Sequence, residues 1–219
     1  MKKYVAELLG TFIMVFCGTG AMVIDQQSGG AVTHVGVAIT WGLVVMSLIY
    51  ALGEVSGAHM NPAVSIAFTV AGRFDRKQLL PYIISQLTGA LLASLTLKLL
   101  FPVNNFLGAT LPAGSALQSF ILELLLTFFL MLVILNVATG SKEQGLFAGI
   151  AIGSVVGLEA MFAGPICGAS MNPARSVAPA LVSCHLENLW LYILAPVMGA
   201  GIAVPFWKYL KPATGSHLK

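Results

Sequence analysis

The chain has 219 residues, of which 58% are hydrophobic and only 9% are charged, and its net charge is +3. Soluble globular domains carry roughly 25% charged residues, so this composition excludes an ordinary soluble domain and indicates a membrane protein. We therefore expect membrane lipid, and no nucleic acid, among its partners.

Apolar runs separated by short polar segments follow one another along the whole chain. About 20 residues are needed to cross a hydrocarbon core of roughly 30 Å, and six runs reach that length. The runs are continuously apolar, whereas the strands of a transmembrane barrel would alternate over short segments. We therefore predict an all-α membrane protein with spans at residues 4–24, 34–54, 78–100, 116–138, 144–163 and 188–210.

The first run follows Lys2 and Lys3, an order that is also typical of a cleaved signal peptide. Glu7 argues against this alternative, because it lies within the run and a matching Glu123 recurs in the fourth run. A discarded leader would not be repeated, so we interpret the first run as a membrane span.

Residues that carry catalysis or bind metals in other proteins are sparse here. Cys17, Cys167 and Cys184 form an odd set without metal-ligand spacing, so neither a disulfide framework nor a zinc site is indicated. The sequence offers no nucleophile with a base, carboxylate pair or phosphate-binding loop. We expect no cofactor, no metal and no enzymatic activity.

The positive charges are distributed unevenly between the two sides of the membrane that six spans define. The loops near residues 25–33 and 101–115 carry no Lys or Arg, so the positive-inside tendency places these loops outside the cell. Both termini are then expected in the cytoplasm, with the chain in the inner (plasma) membrane. The cations assigned to the cytoplasmic side are Lys2, Lys3, Arg73, Arg76, Lys77, Lys142, Lys208, Lys211 and Lys219, and the exceptions are Lys98 and Arg175.

An internal repeat divides the chain into two similar halves. The motif Gly-Ala-x-Met-Asn-Pro-Ala occurs at residues 57–63 and again at 168–174, and flanking pairs such as Gly89/Gly199 repeat as well. We interpret residues 1–219 as one membrane channel domain made of repeats at about 4–100 and 116–210, joined by the extracellular loop 101–115. Each repeat holds three spans, an odd number, so the second repeat is inverted with respect to the first.

Each repeated motif predicts the start of a helix in the membrane midplane. Asn is a favoured N-cap and Pro is favoured at the first helical position. The first such helix can continue to about Ala71, which at 1.5 Å per residue spans about 15 Å, half of the membrane. A single Asn-Pro is more often a simple turn, but two symmetric copies predict a pore centre. The copies are Asn61, Pro62 and Ala63 in the first repeat and Asn172, Pro173 and Ala174 in the second.

Donors and acceptors for an uncharged solute follow from this arrangement. The amides of Asn61 and Asn172 can donate to a passing oxygen, and two helix N-termini create a positive potential that opposes cations and protons. We expect backbone carbonyls before each motif to supply acceptors along the path, at Gly57, Ala58, His59, Cys167, Gly168 and Ala169.

Arg175 is the main difference between the two copies, since its counterpart is Val64. An arginine within a membrane segment is costly and indicates a functional site. In the first turn of the second half-helix, Arg175 would lie on the outer side of the pore centre. We therefore assign it to a selectivity filter.

These residues are similar to those of a known family. The paired Asn-Pro-Ala motifs, the run Asn-Pro-Ala-Arg-Ser at 172–176, and Glu7 with Glu123 resemble the major intrinsic proteins, the aquaporins and aquaglyceroporins, over residues 4–210. The resemblance implies six tilted helices with two re-entrant half-helices. It also implies a homotetramer with one pore in each protomer for water and small neutral solutes.

The resemblance places the family's four constriction positions on Trp41, Ala160, Ala169 and Arg175. Water-selective members have Phe and His at the first two positions, so Ala160 lacks both the bulk and the donor of that His. The implied filter is wider, with Trp41 as an apolar wall and Arg175 donating from the opposite side. Glycerol and comparable polyols are the expected solutes, and a water-selective channel is the alternative.

The filter set and the segments at 162–165 and 168–172 are similar to the nodulin-type intrinsic proteins and their bacterial relatives. That group carries glycerol, urea and neutral metalloid acids. The familiar glycerol facilitators have Asp after the filter Arg, where this chain has Ser176, which argues against the glycerol-specialist subgroup.

Three glutamates inside the spans need partners or water. We expect Glu7 and Glu123 to accept hydrogen bonds from the unwound loops. Glu159 directly precedes Ala160, and it is either an acceptor for loop N–H groups or a pore-adjacent group that tunes selectivity. A secondary transporter is the rival class of protein, because inverted repeats and broken helices also build alternating-access machines.

Overall fold

Helices make up most of the chain that the computed structural model describes, which is residues 1–139 and 145–210. These residues contain no β-strand, and six of their helices are long and apolar enough to cross a membrane. Two more helices, α3 and α7, have only 9 and 11 residues. The helices are α1 (Lys2–Gln27), α2 (Thr33–Ser56), α3 (Pro62–Val70), α4 (Arg76–Leu100), α5 (Ala116–Ala138), α6 (Ala148–Cys167), α7 (Pro173–Ser183) and α8 (Leu189–Leu210).

The long helices lie where the sequence predicts spans, with one correction. The fifth span was expected at 144–163, but α6 runs from Ala148 to Cys167. Gly164-Pro165 is a usual signal for a helix end. The helix nevertheless continues through Pro165 and ends before Gly168, whose φ of 84° closes the C-terminus. Residue 144, together with Lys142, Lys211 and Lys219, lies outside the described residues.

Glycines at repeat-related positions let pairs of long helices pack closely. A Cβ atom added to Gly89 in α4 would overlap the carbonyl oxygen of Leu8 in α1. A Cβ atom added to Gly199 in α8 would overlap the carbonyl oxygen of Leu124 in α5 in the same way. Small residues permit such close approach of helix backbones in membranes, where lipid provides no hydrophobic drive for association.

The two halves meet where α2 crosses α6. A Cβ atom at Gly42 would lie 2.8 Å from the carbonyl oxygen of Gly153, and one at Gly153 would lie 2.6 Å from that of Gly42. The half-helices also join the halves, because α3 packs against α8 and α7 packs against α4. Each half-helix is therefore held by the other half of the chain.

Candidate functional site

The loops that precede the two half-helices share an unusual backbone. Residues other than glycine rarely have a positive φ, and such strain persists only where the surroundings hold it. The loops therefore need hydrogen-bond partners from elsewhere in the chain. The residues with positive φ are Gly57 (83°), Ala58 (48°) and Met60 (48°) in the first loop, and Gly168 (84°), Ala169 (41°) and Met171 (52°) in the second.

Glu7 of α1 holds the first loop. Its Oε1 accepts a hydrogen bond from the backbone N–H of His59 at 2.9 Å, and its Oε2 accepts one from Met60 at 2.7 Å. The hydroxyl of Ser56 and the amide of Gln86 also donate to this carboxylate, each at 2.7 Å. These partners come from the loop, from the end of α2 and from α4, so Glu7 ties α1, α2, α4 and the loop together.

Glu123 of α5 holds the second loop in the same way. Its two oxygens accept from the backbone N–H groups of Ser170 at 2.7 Å and Met171 at 2.8 Å. Both glutamate side chains are fully buried. Since lipid offers no donors, these bonds satisfy carboxylates and loop amides that would otherwise be costly to bury.

The two asparagines join the loops to each other. Oδ1 of Asn61 accepts from the N–H of Ala63 at 2.9 Å, which caps α3, and Asn172 caps α7 by the same kind of bond. Nδ2 of Asn61 donates to the carbonyl oxygen of Met171 at 2.8 Å, and Nδ2 of Asn172 donates to that of Met60 at 2.9 Å. Each amide has a second N–H, which can serve a solute.

Arg175 and Trp41 lie in direct contact. The guanidinium carbon is 5.0 Å from the centre of the indole ring, which is the geometry of a cation–π interaction. The sequence-based expectation that these side chains stand on opposite sides of the filter is therefore wrong. Together they form one wall, in which an apolar ring lies beside a fixed positive charge.

The position of Arg175 depends on residues that the sequence did not indicate. Its Nη1 donates to the carbonyl oxygen of Gly108 at 2.7 Å, and its Nη2 donates to the sulfur of Met22 at 3.3 Å. The loop at 101–115 therefore folds inward to Arg175. The side chain of Asn104 shapes this loop by accepting from the N–H of Leu107 at 2.8 Å.

A cavity of about 460 Å³ runs along these groups. Tyr50, Glu54 and Leu146 lie at one end, and the cavity reaches the predicted filter residues Trp41 and Arg175 at the other. Residues of both loops are among those that line it. Polar groups in an otherwise apolar passage suit a small uncharged solute that has both kinds of surface.

The apolar walls of the cavity follow the helical period. Trp41 in α2 and Ala160 in α6 both line the cavity, and so do the residues four and eight positions closer to the other end. Residues four apart share one face of a helix. The lining residues could therefore have been predicted from the sequence by taking every fourth residue from each filter position. The lining residues are Val45 and Ile49 in α2, Val156 and Ile152 in α6, and Leu130 and Ile134 in α5.

The structure brings most of the candidate residues together around this cavity. It is lined by Asn61, Asn172, Gly57, Ala58, His59 and all four predicted filter positions. Cys167 and Gly168 are not among its lining residues, whereas Ser170 and Met171 are. Cys167 is instead buried in the packing, where its thiol contacts the carbonyl of Ala163.

The structure does not give Glu159 the role of an acceptor for loop N–H groups, which was one of the two roles expected from the sequence. Its side chain is only 1% exposed, and it does not line the cavity. Within residues 1–139 and 145–210, neither of its carboxylate oxygens has a hydrogen-bond partner. In the same part of the chain, no three His, Cys, Asp or Glu side chains are grouped as metal ligands would be.

Comparison with known proteins places this geometry in a family. The family model for the major intrinsic proteins matches residues 1–207. The chain belongs to the major intrinsic protein family. Since this is a family of channel proteins rather than enzymes, the protein is a membrane channel for water and small solutes.

Individual members of the family are similar to the chain over most of its length. Aquaporin NIP1-2 of Arabidopsis thaliana is 49% identical over 209 residues, which cover 91% of this chain and 71% of that protein. Nodulin-26 of Glycine max is 48% identical, with 91% and 74% covered. The X-ray structure of the aquaglyceroporin from Plasmodium falciparum matches with a TM-score of 0.84 at 28% identity, covering 95% of this chain and 96% of the other. These similarities support the nodulin-type resemblance and the aquaporin fold.

Proposed function

We propose that this channel conducts glycerol and similar small polyols, together with water, urea and neutral metalloid acids. The observation that carries the proposal is the make-up of the constriction. All four filter positions line the cavity, and two of them, Ala160 and Ala169, are alanines. An alanine in place of a ring leaves room for a solute larger than water.

The chemistry of the filter wall supports a solute with a carbon backbone and hydroxyl groups. The indole of Trp41 offers an apolar surface, and the guanidinium beside it retains N–H groups that are not used by Gly108 or Met22. A polyol can place its carbon atoms against the ring while its oxygens accept from Arg175. The similarity to a solved aquaglyceroporin points in the same direction.

The same site supports exclusion of ions and protons. The N-termini of α3 and α7 begin at Pro62 and Pro173, and both Asn side chains cap them at the centre of the cavity. Two positive dipole ends and the charge of Arg175 oppose cations, and they also oppose protons moving along a water chain.

Stopped-flow light scattering on proteoliposomes tests the proposal. We expect gradients of water, glycerol and urea to relax faster than in empty liposomes, without saturation and without a requirement for an ion gradient. Water flux without glycerol flux would support the water-selective alternative instead. A saturable, ion-coupled flux would indicate a secondary transporter and contradict the channel mechanism.

A larger side chain at the second filter position is expected to make the channel more selective for water over glycerol. In Ala160→Phe, the ring would narrow the constriction, and an added barrier of about 1–3 kcal/mol for glycerol, the usual scale of overpacking, corresponds to a flux that is roughly 5- to 150-fold lower. Water flux should fall by a smaller factor because the molecule is smaller. Leu158→Phe is the matched control, since Leu158 lies in the same helix but is exposed on its outer side. Equal losses of both fluxes in Ala160→Phe would contradict this role.

The proposal extends to assembly and location. It includes a homotetramer with one pore in each protomer, set in the inner membrane with both termini in the cytoplasm. The resemblance to the family and the charge distribution support these features. The roles assigned to the Asn-Pro-Ala motifs and to the four filter positions belong to the same proposal.

A further inference from the structure

One face of α1 stands behind the filter. Met14, Gly18 and Met22 are spaced four residues apart and therefore lie on the same side of the helix. Met14 lines the cavity, and the sulfur of Met22 accepts a hydrogen bond from Arg175. Gly18 lies between them, at the level of Trp41.

The indole of Trp41 lies flat against the backbone of Gly18. A Cβ atom at Gly18 would overlap the ring atoms Cε2, Cζ2 and Cδ2 of Trp41. The ring is 8% exposed and contacts Arg175 as well as α1. Any side chain at position 18 must therefore displace the indole.

The helix that carries Trp41 has no space to move away from α1. The next residue, Gly42, is packed against the carbonyl oxygen of Gly153, where even one added carbon would lie at 2.8 Å. On the side of α2 that faces α1, a Cβ atom at Gly10 would lie 2.9 Å from Leu52, so α1 and α2 are already in close contact. With α2 held between α1 and α6, the displaced ring has to move toward Arg175 and the cavity.

We infer that Gly18 is a positioning residue that sets the aperture of the filter by keeping the indole of Trp41 against α1. This inference rests on the proposed function, because it explains how a filter that contains tryptophan stays wide enough for a polyol. Gly18 contacts no solute and acts through Trp41. The width of the pore then depends on α1 as well as on the four constriction positions.

The test is Gly18→Ala, with Gly20→Ala as the matched control. Both variants add one methyl group to α1, but a Cβ atom at Gly20 meets only Leu97 at an ordinary 3.5 Å. In proteoliposomes, we expect Gly18→Ala to lower glycerol flux by about tenfold, as overpacking does at closely packed sites. Water flux should fall less, and Gly20→Ala should leave both fluxes unchanged.

A second variant separates this effect from general damage to the fold. In Trp41→Phe, the smaller ring removes part of the surface that the new methyl group would strike. The glycerol flux of the double variant should therefore approach that of Trp41→Phe alone, which is the non-additivity expected of residues in contact. The amount of protein per vesicle and the thermal midpoint are measured for each variant.

The possible outcomes are distinct. Unchanged fluxes in Gly18→Ala, or equal losses of water and glycerol that Trp41→Phe does not relieve, would overturn the inference. A wild-type channel that conducts water but no glycerol would overturn the proposed function instead. The inference would then be judged on water flux, which should still be lower in Gly18→Ala than in Gly20→Ala, and equal values would overturn it.

Discussion

Three buried glutamates of the chain, Glu7, Glu123 and Glu159, lie in different surroundings. Glu7 and Glu123 each accept backbone N–H groups from a strained loop, whereas Glu159 has no hydrogen-bond partner among the described residues. A buried carboxylate destabilises the fold when it lacks hydrogen-bond donors, whereas one that accepts several hydrogen bonds can hold a loop in place. The same substitution should therefore have different consequences at these positions.

We expect Glu123→Gln to destabilise the protein and Glu159→Gln to leave its stability unchanged or increase it. The amide nitrogen of glutamine would face the N–H of Ser170 or Met171, and an unsatisfied buried donor costs about 1–3 kcal/mol. At position 159 the amide replaces a carboxylate that lacks such donors. Thermal unfolding in detergent measures both variants, and equal shifts in midpoint would contradict the distinction.

At this scale the sequence predicted residues that carry a signal of their own, either a repeat or a charge inside a span, and missed those that do not. Glu123 and Asn172 have counterparts 116 and 111 positions earlier, so repetition revealed them. Gly108 accepts a hydrogen bond from Arg175 through its backbone carbonyl. Every residue has such a group, so the identity of residue 108 does not reveal the contact. The contact of Met22 depends on how α1 is rotated, which only the packed structure shows.

At the scale of helices, close packing is concentrated at a few glycines. Gly89 and Gly199 each meet the backbone of a neighbouring helix, whereas a Cβ atom at Gly201 would have no neighbour within 4 Å. The sequence marked the first two as a pair that repeats between the two halves. It could not distinguish Gly201, because composition alone does not show which side of a helix has a neighbour.

Gly199→Ala and Gly201→Ala form a matched pair in α8. The methyl group at 199 would strike the carbonyl of Leu124, so α5 and α8 must separate at a cost of about 1–3 kcal/mol. The methyl group at 201 meets nothing, and alanine is the better helix former by about 1 kcal/mol. We expect a lower thermal midpoint for Gly199→Ala only, and a similar loss in Gly201→Ala would show that the contact is not the cause.

The helix bounds were predictable where hydropathy changes sharply, as at residues 116 and 138 of α5. They were less predictable for α6, because Gly164-Pro165 looks like a helix end in isolation. In this bundle the helix continues for two more residues and delivers the chain to the second loop at Gly168. Neighbouring segments therefore override the local signal.

At the scale of the whole molecule, the proposed orientation places Cys184 on the outer face. This cysteine follows α7, which runs outward from the midplane, and it is exposed, whereas Cys167 is buried. A membrane-impermeant maleimide should therefore label intact cells that carry the protein, and Cys184→Ser should abolish the labelling. Both proteins also carry Cys17→Ser, so that this cysteine does not contribute to the labelling. Labelling only in inside-out vesicles would show that the orientation is the reverse of the one proposed.

The division of the chain into an inverted pair could be inferred from one motif and an odd number of spans. The way in which the halves depend on each other could not be inferred, because it rests on contacts between residues that lie in opposite halves of the chain. The packing of α3 on α8 and of α7 on α4 is one such dependence. The bonds between the asparagines and the opposite loops are another.

Those reciprocal bonds have a consequence for any shorter version of the chain. Asn61 donates to Met171, and Asn172 donates to Met60, so each half provides the acceptor for the other half's amide. A chain with a single repeat could complete the same bonds only by pairing with a second copy inserted in the opposite direction. Such a chain would have to enter the membrane in both orientations, and joining two copies in one chain removes that requirement.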